Sequence, residues 1–135
     1  MSQPPIDASP DAEERQRIER IACVTDAALD RKAEKVVALD VRALTSYADT
    51  FVIATGNSDR HTRSIADSVV EALRAAGRKP LGIEGYDEGR WVLIDAGDVV
   101  VHIFQSDVRD DYDLERLWSD APNVTPESAP AAALS

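Results

Sequence analysis

The chain has 135 residues, enough for one domain core and too few for two ordinary ones. Hydrophobic residues make up 44% and the formal net charge is −10. That composition is globular, and it argues against direct DNA or RNA binding, which is driven mainly by Lys and Arg neutralising phosphates. An acidic chain of this kind suits a basic protein surface, because opposite potentials steer encounter, or else the charge serves solubility alone.

Residues 1–8 read as a loose arm. Ser9 before Pro10 has the form of an N-cap with proline in the first helical position. Ile18, Ile21, Ala22, Thr25 and Leu29 then recur at helical spacing and predict an amphipathic helix to about Ala33. VVALDV (36–41) and TFVIATG (50–56) are rich in β-branched residues and predict strands. Gly56-Asn57-Ser58-Asp59 turns the chain, with Ser58 or Asp59 as the next N-cap. Ile65, Ala66, Val69, Val70 and Leu73 form the stripe of a second helix that ends at Gly77.

PLGIEG, WVLID and VVVHIF follow as three short strands. A last helix is predicted over 108–118, with Leu114, Leu117 and Trp118 on one face. Residues 9–120 are therefore expected to form a single α/β domain, and the Pro- and Ala-rich stretch over 121–135 a disordered tail. The second helix returns the chain to the same sheet by a crossover and the last two strands close as a hairpin. The expected fold is a mixed five-stranded sheet flanked by helices. Because the strands are apolar at consecutive positions, most of the sheet should be covered on both faces.

The hairpin between WVLID and VVVHIF decides where His102 points. A two-residue Ala96-Gly97 loop would set Trp91 opposite His102, but it requires Ala96 at positive φ, or a glycine first. A longer turn with Gly97 in a left-handed bulge position is preferred. It sets Leu93 opposite Val99 and His102 on the face of Val92 and Ile94.

Catalytic readings are weak. Gly56-Asn57-Ser58 stands where a phosphate meets helix amides, but there is no GxGxxG and no P-loop lysine. The one D-x-D, Asp111-Tyr112-Asp113, lies in the last predicted helix rather than on a strand, where a nucleotidyl-transferring enzyme would want its metal-binding pair. Such an enzyme is the alternative function. Asp95 and Asp98 flank a turn and are read as local caps rather than metal ligands. His102 has no Ser-His-Asp or Cys-His partner pattern, so a hydrogen-bonded structural or interface histidine is preferred over a general base. Cys23, the only cysteine, is read as core packing. No apolar run approaches the roughly eighteen residues that would cross a bilayer. The polar start MSQPPIDASPDAEE is neither a secretory signal nor a transit peptide, so a cytoplasmic location is expected.

Two tryptophans, three tyrosines and two phenylalanines are the only aromatics, and Trp91, Phe104, Tyr112 and Trp118 fall in one stretch. Tryptophan and tyrosine are frequent interface anchors. Trp118, on a stripe with Leu114 and Leu117, is read as core. Trp91, after the polar loop EGYDEGR, is read as an exposed anchor.

ALDV, DTFVIATGNSDRHTRSIADSV, PLGIEG, WVLIDAGDVVVHIF and YDLERLW together resemble the ribosomal silencing factors, also called the Iojap-like family, in order and spacing from about Ile21 to Trp118. The resemblance implies an α/β sheet similar to nucleotidyltransferases without their catalytic acids, and no cofactor, metal or enzymatic activity. It implies binding to the large ribosomal subunit through its ribosomal protein fourteen, where the factor blocks joining of the small subunit and represses translation. Homodimers are also expected of the family, and no membrane partner. By the same resemblance the contact surface is expected around EGYDEGRW and the following hairpin. Trp91 would be the anchor, and Glu84, Asp98, His102 and Tyr112 the supporting groups. Asp111 departs from the pattern, since a bulky apolar residue usually precedes this tyrosine.

Overall fold

The computed structural model describes residues 10–126, so the arm over 1–8, the Ser9 cap and residues 127–135 of the expected tail lie outside the described residues. Helix α1 (Pro10–Asp30) leads into β1 (Glu34–Asp40) and β2 (Thr50–Gly56). Helix α2 (Asp59–Ala75) then connects to β3 (Gly82–Glu84), β4 (Trp91–Asp95) and β5 (Val99–Gln105). Two short helices, α3 (Ser106–Tyr112) and α4 (Leu114–Leu117), follow. The strands make one mixed sheet in the order β1-β2-β5-β4-β3, the five-stranded α/β arrangement expected. Among the described residues only β2 and β5 pair in parallel, and the crossover through α2 carries the chain past β5 and β4 to the far edge.

Strand alternation divides the side chains into two layers. Val52, Ala54, Val92, Ile94, Val101 and Ile103 meet Ile21, Val24, Ile65, Val69 and Leu73 of α1 and α2 in the main core. Each such Val, Ile or Leu, fully removed from water, contributes about 1.5–3 kcal/mol. The opposite face carries Leu39, Phe51, Ile53 and Phe104 against Val41, Ala48 and Val108, with Leu114 and Trp118 packed at the margin. Coverage of this second face stops short of what the apolar runs suggested. Every residue of β2 is buried, whereas β4 alternates buried with partly exposed and β3 is exposed throughout.

Helix α2 has the signals read in the sequence. The Ser58 side chain accepts from the His61 amide. At the other end Gly77 N donates to Arg74 O at 2.9 Å and Arg78 N to Leu73 O at 2.7 Å, the paired bonds of a Schellman motif. Helix α1 differs in detail. It ends at Asp30, and its buried stripe runs through Arg17, Ile21, Val24, Thr25 and Ala28, leaving Ile18 50% exposed. The stripe passes through position 17 because Arg17 reaches inward to Asp40 and to Thr50 Oγ1. Cys23 is partly buried, with its thiol 3.8 Å from Ala72 O, and burial raises its pKa.

The single helix expected over 108–118 is two. Asp113 takes φ 48 and ψ 52, a left-handed conformation that aspartate tolerates, and the break turns Leu117 outward to 70% exposure. Residues 121–126 are also not a loose tail. Asp40 N donates to Pro122 O at 2.9 Å, Val124 N to Ala38 O at 2.8 Å, and Ala38 N to Thr125 Oγ1 at 2.9 Å, so the segment lies along the outer edge of β1. Among the described residues no helix is long and apolar enough to cross a membrane.

Arg109 joins these late elements to the sheet. It is 6% exposed, donates to Thr55 Oγ1 at 2.7 Å and Lys35 O at 2.8 Å, and is paired through two nitrogens with Glu115 at 3.0 and 2.7 Å. Arg109→Met keeps the stem and removes every donor. It is expected to lower unfolding free energy by about 2 kcal/mol, seen as a reduced urea midpoint with unchanged slope.

Candidate functional site

Strand pairing sets the candidate residues on the sheet. Leu93 pairs with His102, Ile94 with Val101 and Asp95 with Val100, which leaves Gly97-Asp98 as the two-residue loop, with Ala96 N donating to Val99 O at 2.9 Å. Gly97 occupies the first central position at φ 89, as a type II′ turn demands. Neither register weighed in the sequence has this loop. The expected placement of His102 with Val92 and Ile94 is therefore wrong: it shares its face with Trp91 and Leu93, and Val92 and Ile94 point to the helices. The difference arises because the glycine takes the first loop position, rather than the second or a bulge.

With that register, a row of side chains crosses the whole sheet: Glu84, Leu93, His102, Ile53 and Val37 on successive strands. Trp91 and Phe104 form the core of the next row. The Trp91 indole lies 4.6 Å from the ring of Tyr112 and 4.9 Å from that of Phe104, centroid to centroid. His102 stacks on Phe104 and meets the edge of Phe51 at 5.1 Å, and Phe51 in turn meets Trp118 at 5.2 Å. These contacts make one aromatic surface in which Phe104 is fully buried, Trp91 partly exposed and Tyr112 55% exposed. Trp118 is partly buried, in keeping with its core reading.

The opening for chemistry at His102 is narrow. The residue is 6% exposed, and Trp91 Nε1 donates to its Nδ1 at 3.2 Å. An indole nitrogen can only donate, so Nδ1 accepts and the neutral ring carries its proton on Nε2. That Nε2 is buried without a hydrogen-bond partner among the described residues. Burial pushes the pKa of His102 down to about 4. An imidazole held neutral, with its acceptor nitrogen engaged by tryptophan, orients the indole rather than shuttling protons.

The five expected site residues do not all come together. Trp91, His102 and Tyr112 are in mutual or shared contact, and Glu84 stands two strands from His102 on the same face. Asp98 is elsewhere: at the hairpin tip it pairs with Arg20 at 2.8 Å and with Arg78, and its carbonyl accepts from Asp49 N and Thr50 N. It was also expected to cap its own turn, and only Asp95 does so, accepting from Gly97 N at 2.9 Å. Phe51 and Leu93, which belong to the surface, were not singled out in the sequence. Parity counted from a Gly97-first loop would have found Leu93, while Phe51 depends on the parallel β2–β5 register, a nonlocal pairing.

The turn considered for phosphate closes on itself. Asn57 N donates to His61 Nδ1 at 2.9 Å, His61 N to Ser58 Oγ at 3.0 Å, and His61 Nε2 lies 2.8 Å from the carbonyl of Arg31. Asp111 is exposed and Asp113 sits at the helix break, so the D-x-D has no strand to present it.

Comparison with known proteins gives a consistent family. The model of the family described as ribosomal silencing factor during starvation matches residues 13–134. A ribosomal silencing factor of Halalkalibacterium halodurans is 44% identical over 106 residues, covering 78% of this chain and 91% of that protein. A mouse protein named mitochondrial assembly of ribosomal large subunit protein 1 is 31% identical over 90 residues, covering 64% of this chain and 40% of its own. The crystal structure of a Chromobacterium violaceum protein superimposes with a TM-score of 0.72 at 42% identity, covering 77% of this chain and 85% of that one.

Protonation of His102 makes stability depend on pH. The unfolded ring titrates near 6.5 and the native ring near 4. The unfolded state therefore takes up the proton first as the pH falls. Stability is complete above about 6.5 and declines toward about 4, by roughly 3 kcal/mol in all. Urea midpoints of the wild type should fall steeply between about pH 7 and about pH 4.5, and those of His102→Leu should fall less over the same interval.

Proposed function

Because the chain belongs to the ribosomal silencing factor family, whose members are ribosome-associated regulators of translation, we propose that it represses translation by steric exclusion. In this reading it binds the large ribosomal subunit through ribosomal protein fourteen and prevents the small subunit from joining. The observation that carries the reading is the aromatic surface of Trp91 and Tyr112, backed by the buried His102, bordered by Leu93 and Glu84 and left uncovered on the β4–β3 side of the sheet.

Exclusion needs affinity and bulk, with no bond made or broken. A specific interface buries about 1,600 Å² in total, within reach of one sheet face. A partly exposed tryptophan whose only polar atom is already bonded inside its own protein offers a partner an apolar surface at low desolvation cost. The net charge of −10 favours a basic protein patch and disfavours the surrounding ribosomal RNA, which confines docking to protein. Glu84, on the rim of the aromatic surface, is the carboxylate placed to meet a basic side chain of such a patch. Asp98, engaged by two arginines at the hairpin tip, is left out of the proposed contact.

Trp91→Ala is expected to weaken co-sedimentation with large subunits by roughly thirtyfold while circular dichroism shows a folded chain. The wild type at saturation should prevent purified small and large subunits from forming joined particles, as read from sucrose gradients. Normal joining under that saturation would overturn the reading.

A further inference from the structure

The aromatic surface is held from behind by side chains that take no part in it. The loop over 85–89 brings the chain to Trp91, and α2 grips it at several points. Arg63 donates to Asp87 O at 3.0 Å, and Tyr86 donates its hydroxyl to Asp67 at 2.9 Å. Gly89, at φ 69, lies so close to the first turn of α2 that a Cβ there would fall 2.9 Å from Asp59 Cα. The grip is tightest at the Gly89 carbonyl. The Thr62 hydroxyl lies 2.6 Å from that oxygen and 2.9 Å from Asp59 O, and its single proton favours the shorter contact.

Gln105, the last residue of β5, completes the clamp. Its side-chain amide donates to Gly89 O at 3.0 Å and to Asp59 Oδ1 at 2.6 Å, one bond for each of its two protons. Its backbone N–H donates to Arg90 O at 2.9 Å. Gln105 thus holds the carbonyls of the two residues that immediately precede Trp91.

We propose that Gln105 and Thr62 are positioning residues for the recognition surface, fixing through the Gly89 carbonyl the direction in which the chain enters β4 and so the place of the Trp91 indole. The inference rests on the reading of that surface as the partner-binding site. The tolerance is small. The Trp91–His102 bond is 3.2 Å long, at the outer end of the normal range, so a displacement of a few tenths of an ångström at the strand entry breaks it. An indole released from His102 has an unpaired N–H and several orientations, and binding must then select one of them.

The test uses the full chain, large-subunit co-sedimentation, and the indole N–H resonance of Trp91 by nuclear magnetic resonance. Gln105→Met keeps length and loses both donors, and Thr62→Val keeps shape and loses the hydroxyl. Each is expected to weaken capture about fivefold and to shift the Trp91 indole resonance. Thr62→Ser, which retains the hydroxyl, should restore both. Val24→Ala, in the α1 core far from the clamp, lowers stability and should leave capture and resonance as in the wild type.

Capture within about twofold of wild type for both Gln105→Met and Thr62→Val, with Trp91→Ala still defective, would overturn the positioning role and leave the surface standing. Equal weakening by Val24→Ala would overturn it too, because loss of stability alone would then explain the effect. If Trp91→Ala captures normally, the surface itself is misassigned and the positioning role falls with it.

Discussion

With β5 held by β2, a one-residue slip of β4 against β5 would turn Trp91 and Leu93 toward the helices and drive Val92 and Ile94 to the other side. Both layers depend on that register, and the register depends on Gly97 taking the first place of a two-residue loop. The pairing of β5 with β2 then transmits the same parity to Phe51 and Ile53. One backbone torsion at a hairpin tip therefore decides which side chains are core and which are surface.

The two layers differ in chemistry as well as in position. Toward α1 and α2 the sheet presents aliphatic side chains that interlock with helix stripes. Toward α3 and α4 it presents rings, and among them a buried imidazole that costs stability if protonated. The imidazole is tolerated because the Trp91 indole, which would otherwise need a buried acceptor of its own, supplies a hydrogen bond to Nδ1. Each ring satisfies part of the other's polar requirement. The pair can therefore sit in an apolar setting and keep a fixed orientation. This is useful to a binding surface, where a pre-set aromatic loses little freedom on docking.

Much of this was legible in the sequence because it is local. TFVIATG marks β2 to the residue, and the caps of α2 follow from Ser58 and Gly77. The element order and the mixed sheet follow from periodicity and connection length, and the family follows from the combination of motifs. What was missed depends on contacts far apart in the chain. Arg17 displaced Ile18 from the core because Asp40 and Thr50 lie across from it. The break at Asp113 accompanies an arginine, Arg109, that reaches forward to Glu115 and across to Thr55. Of the five site residues expected, the structure gathers Trp91, His102 and Tyr112 with Glu84 nearby. Asp98 is expected there through the family resemblance of the hairpin, and its arginine partners come from helix and loop segments that no hairpin pattern reveals.

The segment over 122–125 laid along β1 has a consequence for how copies of this sheet can aggregate. It occupies the outward backbone groups of Ala38 and Asp40 at the end of that margin, while β3 at the opposite margin has no neighbouring strand among the described residues. A ribbon with two bare margins can lengthen without limit, each copy offering a fresh edge to the next. With the end of the β1 margin occupied, β3 is the freer edge, and joining β3 to β3 consumes that edge in both copies at once, so stacking of this kind terminates at a pair rather than growing into a fibre.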